Sequence, residues 1–332
     1  TPTMPGRVSP LSIRNLLMPR TAFAPTVLVL LLAGIPLSPA RGDDQAPPPL
    51  QIFILAGQSN MQGHGVVKAD ARRNGGKGSL GFIARAEKTK KRLAHTINEN
   101  GQWVVRDDVF IWYLDRSGQL TAGFGASQDH IGPEFQFGHA VGDYYEDPVL
   151  LIKLAWGGKS VAVDFRSPSA GGETGDYYKL VLEYTKEVLG NLKKHYPAYD
   201  GKGYELMGIG WHQGWNDRVN QAHNDAYEEN LTHFIKDIRR DLDAKHLPFV
   251  IAETGMSGHK EKHPRALSLM KHQAAVAKRP EFKGTVSFVG TKDFFRPKED
   301  SPSGQAYHWN TNAETYFLIG DAMAKSMISL LK

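Results

Sequence analysis

The chain has 332 residues, 41% of them hydrophobic and 23% charged, enough for one large buried core or two small ones. It has no cysteine, which excludes disulfide bridges, thiolate catalysis and cysteine-ligated zinc. The formal net charge of +5 raises a nucleic-acid partner, and the first predicted element removes it.

Residues 1–42 read as a secretory signal peptide with some upstream sequence. Met18-Pro19-Arg20 opens a basic start, residues 24–37 form a run rich in Val, Leu and Ala, and Ser38-Pro39-Ala40-Arg41-Gly42 supplies small residues for cleavage. The run is too short and too broken by proline for a stable membrane span, so cleavage is expected between Ala40 and Asp44 and the product is expected to be secreted or periplasmic. The segment contains Arg7, Arg14, Arg20 and Arg41 and no acid, so most of the positive excess belongs to it. Lys88 to Arg92 (KTKKR) remains, but without aromatic neighbours it reads as a solvated helix face. No nucleic-acid partner is expected.

Residues 43–50, with Pro47-Pro48-Pro49, form a stiff lead-in. After it, apolar runs at 51–56, 109–114, 149–155, 206–211, 248–253 and 285–289 predict strands. Helices are predicted at 134–145, 177–192, 224–242 and 264–277. In the third, Tyr227, Leu231, Phe234, Ile235, Ile238 and Leu242 recur at spacings of three and four. A last helix is expected to begin at a capping box, Thr311-x-x-Glu314, and to run to the C-terminus. This alternation predicts a single domain over 51–332, a parallel sheet with helices on both faces and a Gly-rich insertion at 66–102.

In such a sheet, ligands bind beyond the C-terminal ends of the strands, and three of those ends carry polar clusters. In Gly57-Gln58-Ser59-Asn60, Ser59 is either a helix cap or a nucleophile. Trp156-Gly157-Gly158-Lys159-Ser160 is not a phosphate-binding loop, because Lys153 stands where the first glycine of that motif belongs. Its glycines still offer backbone N–H groups to an oxyanion. Trp211-His212-Gln213-Gly214-Trp215-Asn216-Asp217 puts an imidazole, two amides and a carboxylate within seven residues. A fourth cluster, Tyr307-His308-Trp309-Asn310, precedes the last helix. His308 is the leading candidate for a base beside Ser59, and His212 the second. No HExxH motif occurs, so no metal or cofactor is expected.

LAGQSNMQGHG, LAWGGKS, WHQGWND and HWNTNAETYFLIGDAMA, in that order, resemble the SGNH-type carbohydrate esterases, in particular the sialate O-acetylesterase-like proteins and the family 6 acetylxylan esterases. The resemblance spans about 280 residues, and Gly132-Pro133-Glu134 matches a further GPE element. It implies a flavodoxin-like three-layer α/β/α fold and metal-free hydrolysis of acetyl esters on carbohydrate. Ser59 would be the nucleophile and His308 the base. The oxyanion donors would be the Ser59 and Gly158 backbone amides with Gln213. Gln58, Asn60, His212, Trp215 and Asn216 are candidate substrate contacts. The sequence departs from the family in two places: Gln305 stands where an aspartate usually precedes the histidine by three, and Trp215 where glutamate often follows HQG. Asp217 is the nearest replacement acid. A backbone carbonyl or the Gln305 amide would otherwise hold His308 in a Ser-His dyad. Two other readings are a glycan-binding protein without turnover and a hydrolase of another ester, such as O-acetylated peptidoglycan.

Overall fold

The computed structural model describes residues 49–332, so the leader and its cleavage point lie outside the described residues. The strands are β1 (Leu50–Gly57), β2 (Gly65–Val66), β3 (Val109–Tyr113), β4 (Arg116–Gln119), β5 (His130–Ile131), β6 (Val149–Ala155), β7 (Tyr204–His212), β8 (Phe249–Ala252) and β9 (Val286–Val289). Seven of them form one sheet in the order β4-β3-β6-β1-β7-β8-β9, parallel except for β4, while β2 and β5 pair separately. Within the main sheet, the antiparallel edge is the one departure from the parallel expectation. Its residues, Arg116-Ser117-Gly118-Gln119, form half-exposed polar sequence with no apolar run to announce a strand.

The helices are α1 (Ser59–Gln62), α2 (Leu80–Ile83), α3 (Lys90–Leu93), α4 (Pro133–Tyr144), α5 (Asp176–Gly190), α6 (Leu192–His195), α7 (Trp215–Arg218), α8 (Gln221–Asp225), α9 (Tyr227–Asp241), α10 (Pro264–Val276) and α11 (Ala313–Leu330). Alternate residues of β1 enter opposite layers, as the two-residue period of a strand requires. Ile52 and Ile54 join a core with Val181 of α5, Phe234 of α9 and Leu269 of α10. Phe53 and Leu55 join the other, with Phe137 of α4 and Tyr316 and Met323 of α11. Both faces of β1 are therefore dry, and truncating one such side chain, as in Phe53→Ala, costs about 3–5 kcal/mol.

The insertion at 66–102 is not a detached excursion. Leu80, Ile83 and Leu93 pack with Ile131, Phe135, Ala313 and Phe317, which fastens it over the ends of α4 and α11. The expected capping box at Thr311 is displaced by one residue. Thr311 has a left-handed backbone (φ +55°), whereas a cap needs an extended one, so Asn312 caps α11 by accepting from the Thr315 amide at 3.2 Å. Glu314 turns instead to Arg296 at 2.9 Å. Among the described residues no helix is long and apolar enough to cross a membrane.

Candidate active site

Three strand ends meet at one level, because Gly57 of β1 lies opposite Ala155 of β6 and His212 of β7. Gly57 has φ +154°, and a Cβ there would lie 2.3 Å from the His212 carbonyl oxygen, so only glycine lets β1 turn at this point. The turn runs directly into α1. Its cap position is Gln58, with no side-chain capping bond, and Ser59 is the first helical residue. Ser59 is therefore not a cap. Its hydroxyl makes no hydrogen bond to a described side chain or backbone group, and its backbone N–H has no partner within the helix.

The β1, β6 and β7 loops are fastened together around this serine. The Gln58 side-chain oxygen accepts from the Gly214 amide (2.9 Å) and the Asn216 amide (3.4 Å). The Asn216 side-chain amide donates to the Gly158 carbonyl. Gly158 is exposed, left-handed (φ +72°), and its own N–H makes no hydrogen bond among the described residues. The Gly158 N–H, and the second hydrogen of Asn216 Nδ2, have no acceptor among the described residues.

Two sequence expectations do not hold here. Asp217 does not orient His308. It is fully buried, and its oxygens accept from the Val161 amide (2.9 Å), the Ala162 amide (3.0 Å) and Gln213 Nε2 (2.6 Å). Burial raises its pKa to about 6 against the pull of those bonds, and its role is to anchor the β6 loop to α7. Gln213 is likewise not placed as an oxyanion donor. Both amide hydrogens are engaged, one by Asp217 and one by the Lys159 carbonyl (2.9 Å). The amide of this loop that stands next to Gly158 is Asn216. Of the other candidate substrate contacts, Gln58, Asn60 and His212 are buried, while Trp215 and Asn216 are half-exposed.

His308 sits on a loop whose backbone is unusual for its residues. Trp309, Asn310 and Thr311 have φ of +51°, +55° and +55°, each carrying a cost of about 1–3 kcal/mol for a non-glycine residue. The loop is fixed from several sides. Asn60 Nδ2 donates to the Tyr307 carbonyl (3.0 Å), and the Tyr316 hydroxyl donates to Asn60 Oδ1 (2.8 Å) and lies 3.3 Å from the His308 carbonyl. Asn60 follows Ser59 directly, so this tether brings the serine turn and the histidine loop together. The Gln305 carbonyl accepts from the His308 backbone amide (2.8 Å), but no described carboxylate or carbonyl meets the His308 ring. Its face is covered by His64, with ring centroids 3.7 Å apart and planes 6° from parallel. Burial, then the nearby His130, lower the His308 pKa to about 4.

Sequence reasoning missed what lies beneath the turn. Lys153 and Glu134 form a fully buried ion pair (2.7 Å). The other Lys153 protons reach the Gln62 and Phe124 carbonyls, each at 2.7 Å, and the Gly132 amide donates to Glu134 (2.8 Å). Gln62 ends α1, so the pair holds the far end of the serine helix against the Gly-Pro-Glu turn. A lone lysine in the apolar run 149–155 was the available signal, since a buried ammonium requires a carboxylate.

Residues 49–329 match the profile of a family described as carbohydrate esterase, sialic acid-specific acetylesterase. A probable carbohydrate esterase of Arabidopsis thaliana is 25% identical over 205 residues, covering 61% of this chain and 68% of that protein. The crystal structure of an Arabidopsis thaliana protein superposes with TM-score 0.57 at 18% identity, covering 85% of this chain and 99% of that one. NanS superposes with TM-score 0.53 at 14% identity, covering 86% and 98%, so the α/β architecture is shared with both.

Proposed function

The chain belongs to the carbohydrate esterase family of sialic acid-specific acetylesterases, and on that premise we propose that it removes O-acetyl groups from carbohydrate with Ser59 as nucleophile and His308 as base. The ester carbon would be attacked by Ser59 Oγ as His308 takes the hydroxyl proton. The Ser59 and Gly158 backbone amides, with Asn216 Nδ2, would donate to the oxyanion. The sugar oxygen leaves with the proton returned by His308. Water, activated by the same imidazole, then releases acetate and frees the serine.

The observation that carries this reading is a Ser59 hydroxyl with no hydrogen-bond partner among the described residues, at the same sheet end as the free Gly158 N–H and tethered through Asn60 to the His308 loop. Among the described residues no three His, Asp or Glu side chains are arranged to hold a metal ion. The surrounding loops, including 164–178, are polar and Gly-rich, which suits a hydroxyl-rich substrate in an open cleft.

Purified protein should release acetate from an acetylated oligosaccharide and from a small aryl acetate. Ser59→Ala should abolish both, and His308→Ala should be nearly as severe, because the two act as a unit. Full activity in Ser59→Ala would overturn the assignment. Glycan affinity without turnover in the wild type would instead identify a binding protein. The leader belongs to the same reading: N-terminal sequencing of exported product should give a start between Ala40 and Asp44.

A further inference from the structure

Among the described residues the proposed base has no acid partner. Asp217 is committed elsewhere, and neither Gln305 nor Trp215 carries a charge. An imidazole without such a partner is free to rotate and gains a proton less readily during attack. Something else must fix the ring and favour the cation.

His64 is placed to do both. It lies five residues after Ser59, immediately before β2, whose pairing with β5 sets Gly65 opposite Ile131 and Val66 opposite His130. Its ring lies flat on His308 at 3.7 Å. The His130 ring lies 5.9 Å from it, tilted by 60°, and Lys153 is the charged group that bears on it. His64 Nε2 is buried with no hydrogen-bond partner, so the ring cannot serve as a proton relay through the described groups. Burial, then His308, His130 and Lys153, push its pKa down to about 3, which keeps it neutral wherever His308 works.

We propose that His64 is a positioning residue that replaces the missing acid: its stacked neutral ring fixes the plane of His308 and offers a π face to the imidazolium formed as Ser59 attacks. This rests on His308 being the base. No proton passes through His64; the one lost by Ser59 resides on His308 until the sugar oxygen takes it. A cation against an aromatic face at this separation is stabilised most when water is excluded, as it is between two rings in contact.

The test uses the full protein and three substitutions at one position, read by acetate release from an acetylated oligosaccharide. His64→Phe keeps a neutral aromatic face, His64→Leu keeps bulk without one, and His64→Ala removes both. Loss of the π face should lower kcat by about tenfold or more in the Leu and Ala variants with KM little changed, while Phe stays within about threefold of wild type. In His64→Leu, which keeps water from the His308 ring, loss of the π face should move the acid limb of kcat/KM below its wild-type position near pH 4, while His64→Phe leaves it in place. Wild-type kcat in folded His64→Leu would overturn the proposal, as would His64→Phe falling to the level of Leu with unchanged melting temperature. Wild-type activity in His308→Ala would instead remove the base assignment itself, whatever the His64 variants do.

Discussion

An imidazole that must accept a proton from a serine works only while it is neutral, and His308 stays neutral far into the acid range. Burial and His130 hold its pKa near 4, well below the 6.5 of a free histidine. Activity requires the deprotonated form, so it should persist below pH 6 and fall as pH drops through about 4. A kcat/KM profile on a small acetate ester reports this pKa in the free enzyme. A midpoint near 6.5 would mean that the ring is solvated in solution. The two side-chain amides near Gly158 should separate just as clearly. Asn216→Ala should lower kcat about 100- to 1,000-fold with little change in stability, as loss of one oxyanion donor does. Gln213→Ala leaves the buried Asp217 and the Lys159 carbonyl each short of a donor, and should lower unfolding free energy by about 2 kcal/mol in a urea titration. These residues also mark where sequence reading stops. Ser59 and His308 lie at the strand-end and loop positions that periodicity points to. Which of Gln213, Asn216 and Asp217 faces the cleft depends on the turn of α7, and four polar side chains within seven residues carry no record of it.

At the scale of elements, the joint between β6, α4 and α1 depends on one ion pair. Removing water from both Lys153 and Glu134 opposes their charges, lowering the lysine pKa and raising that of the acid, and each offsets the loss for the other. Glu134→Gln or Lys153→Met alone should therefore destabilise the fold by about 3–5 kcal/mol, since either leaves a partner uncompensated. The double change Lys153→Met with Glu134→Leu should recover much of that loss in chemical denaturation. Activity should not recover with it, because the Gln62 carbonyl at the end of α1 still lacks its donor. The main strands and helices were legible within a few residues, because both faces of the sheet are dry and the apolar runs are long. The edge strand β4, the cap at Asn312 and the ion pair were not. Each is decided by partners distant in sequence.

For the molecule as a whole, acid should be the weak side. His139 and His212 are fully buried and held at about 4 and 3, by burial above all. In the unfolded chain both take up protons near pH 6.5, and in the folded chain neither does until far lower. Stability therefore falls as pH drops below about 6.5, by about 1.4 kcal/mol per pH unit for each. Asp217 opposes the trend below about pH 6, because its folded pKa lies above its unfolded one. The net loss between pH 7 and 4.5 should appear as a drop of roughly 5–10 °C in melting temperature for a chain of this size. A flat profile would show that the buried histidines are already solvated in the native state.

The tether from Tyr316 to Asn60 spans 256 residues. Ser59, the proposed nucleophile, is thus made early in synthesis, while the groups that seat His308, its proposed base, are made almost last. A nascent chain that has folded its first six sheet strands already displays the serine, yet it carries no His308 and no Tyr316 to fix one. On the proposed roles of Ser59 and His308, chemistry would be switched on only when the final helix docks against α4. Partial translation products and fragments clipped before residue 308 should be inert toward acetyl esters, however well their sheet has formed.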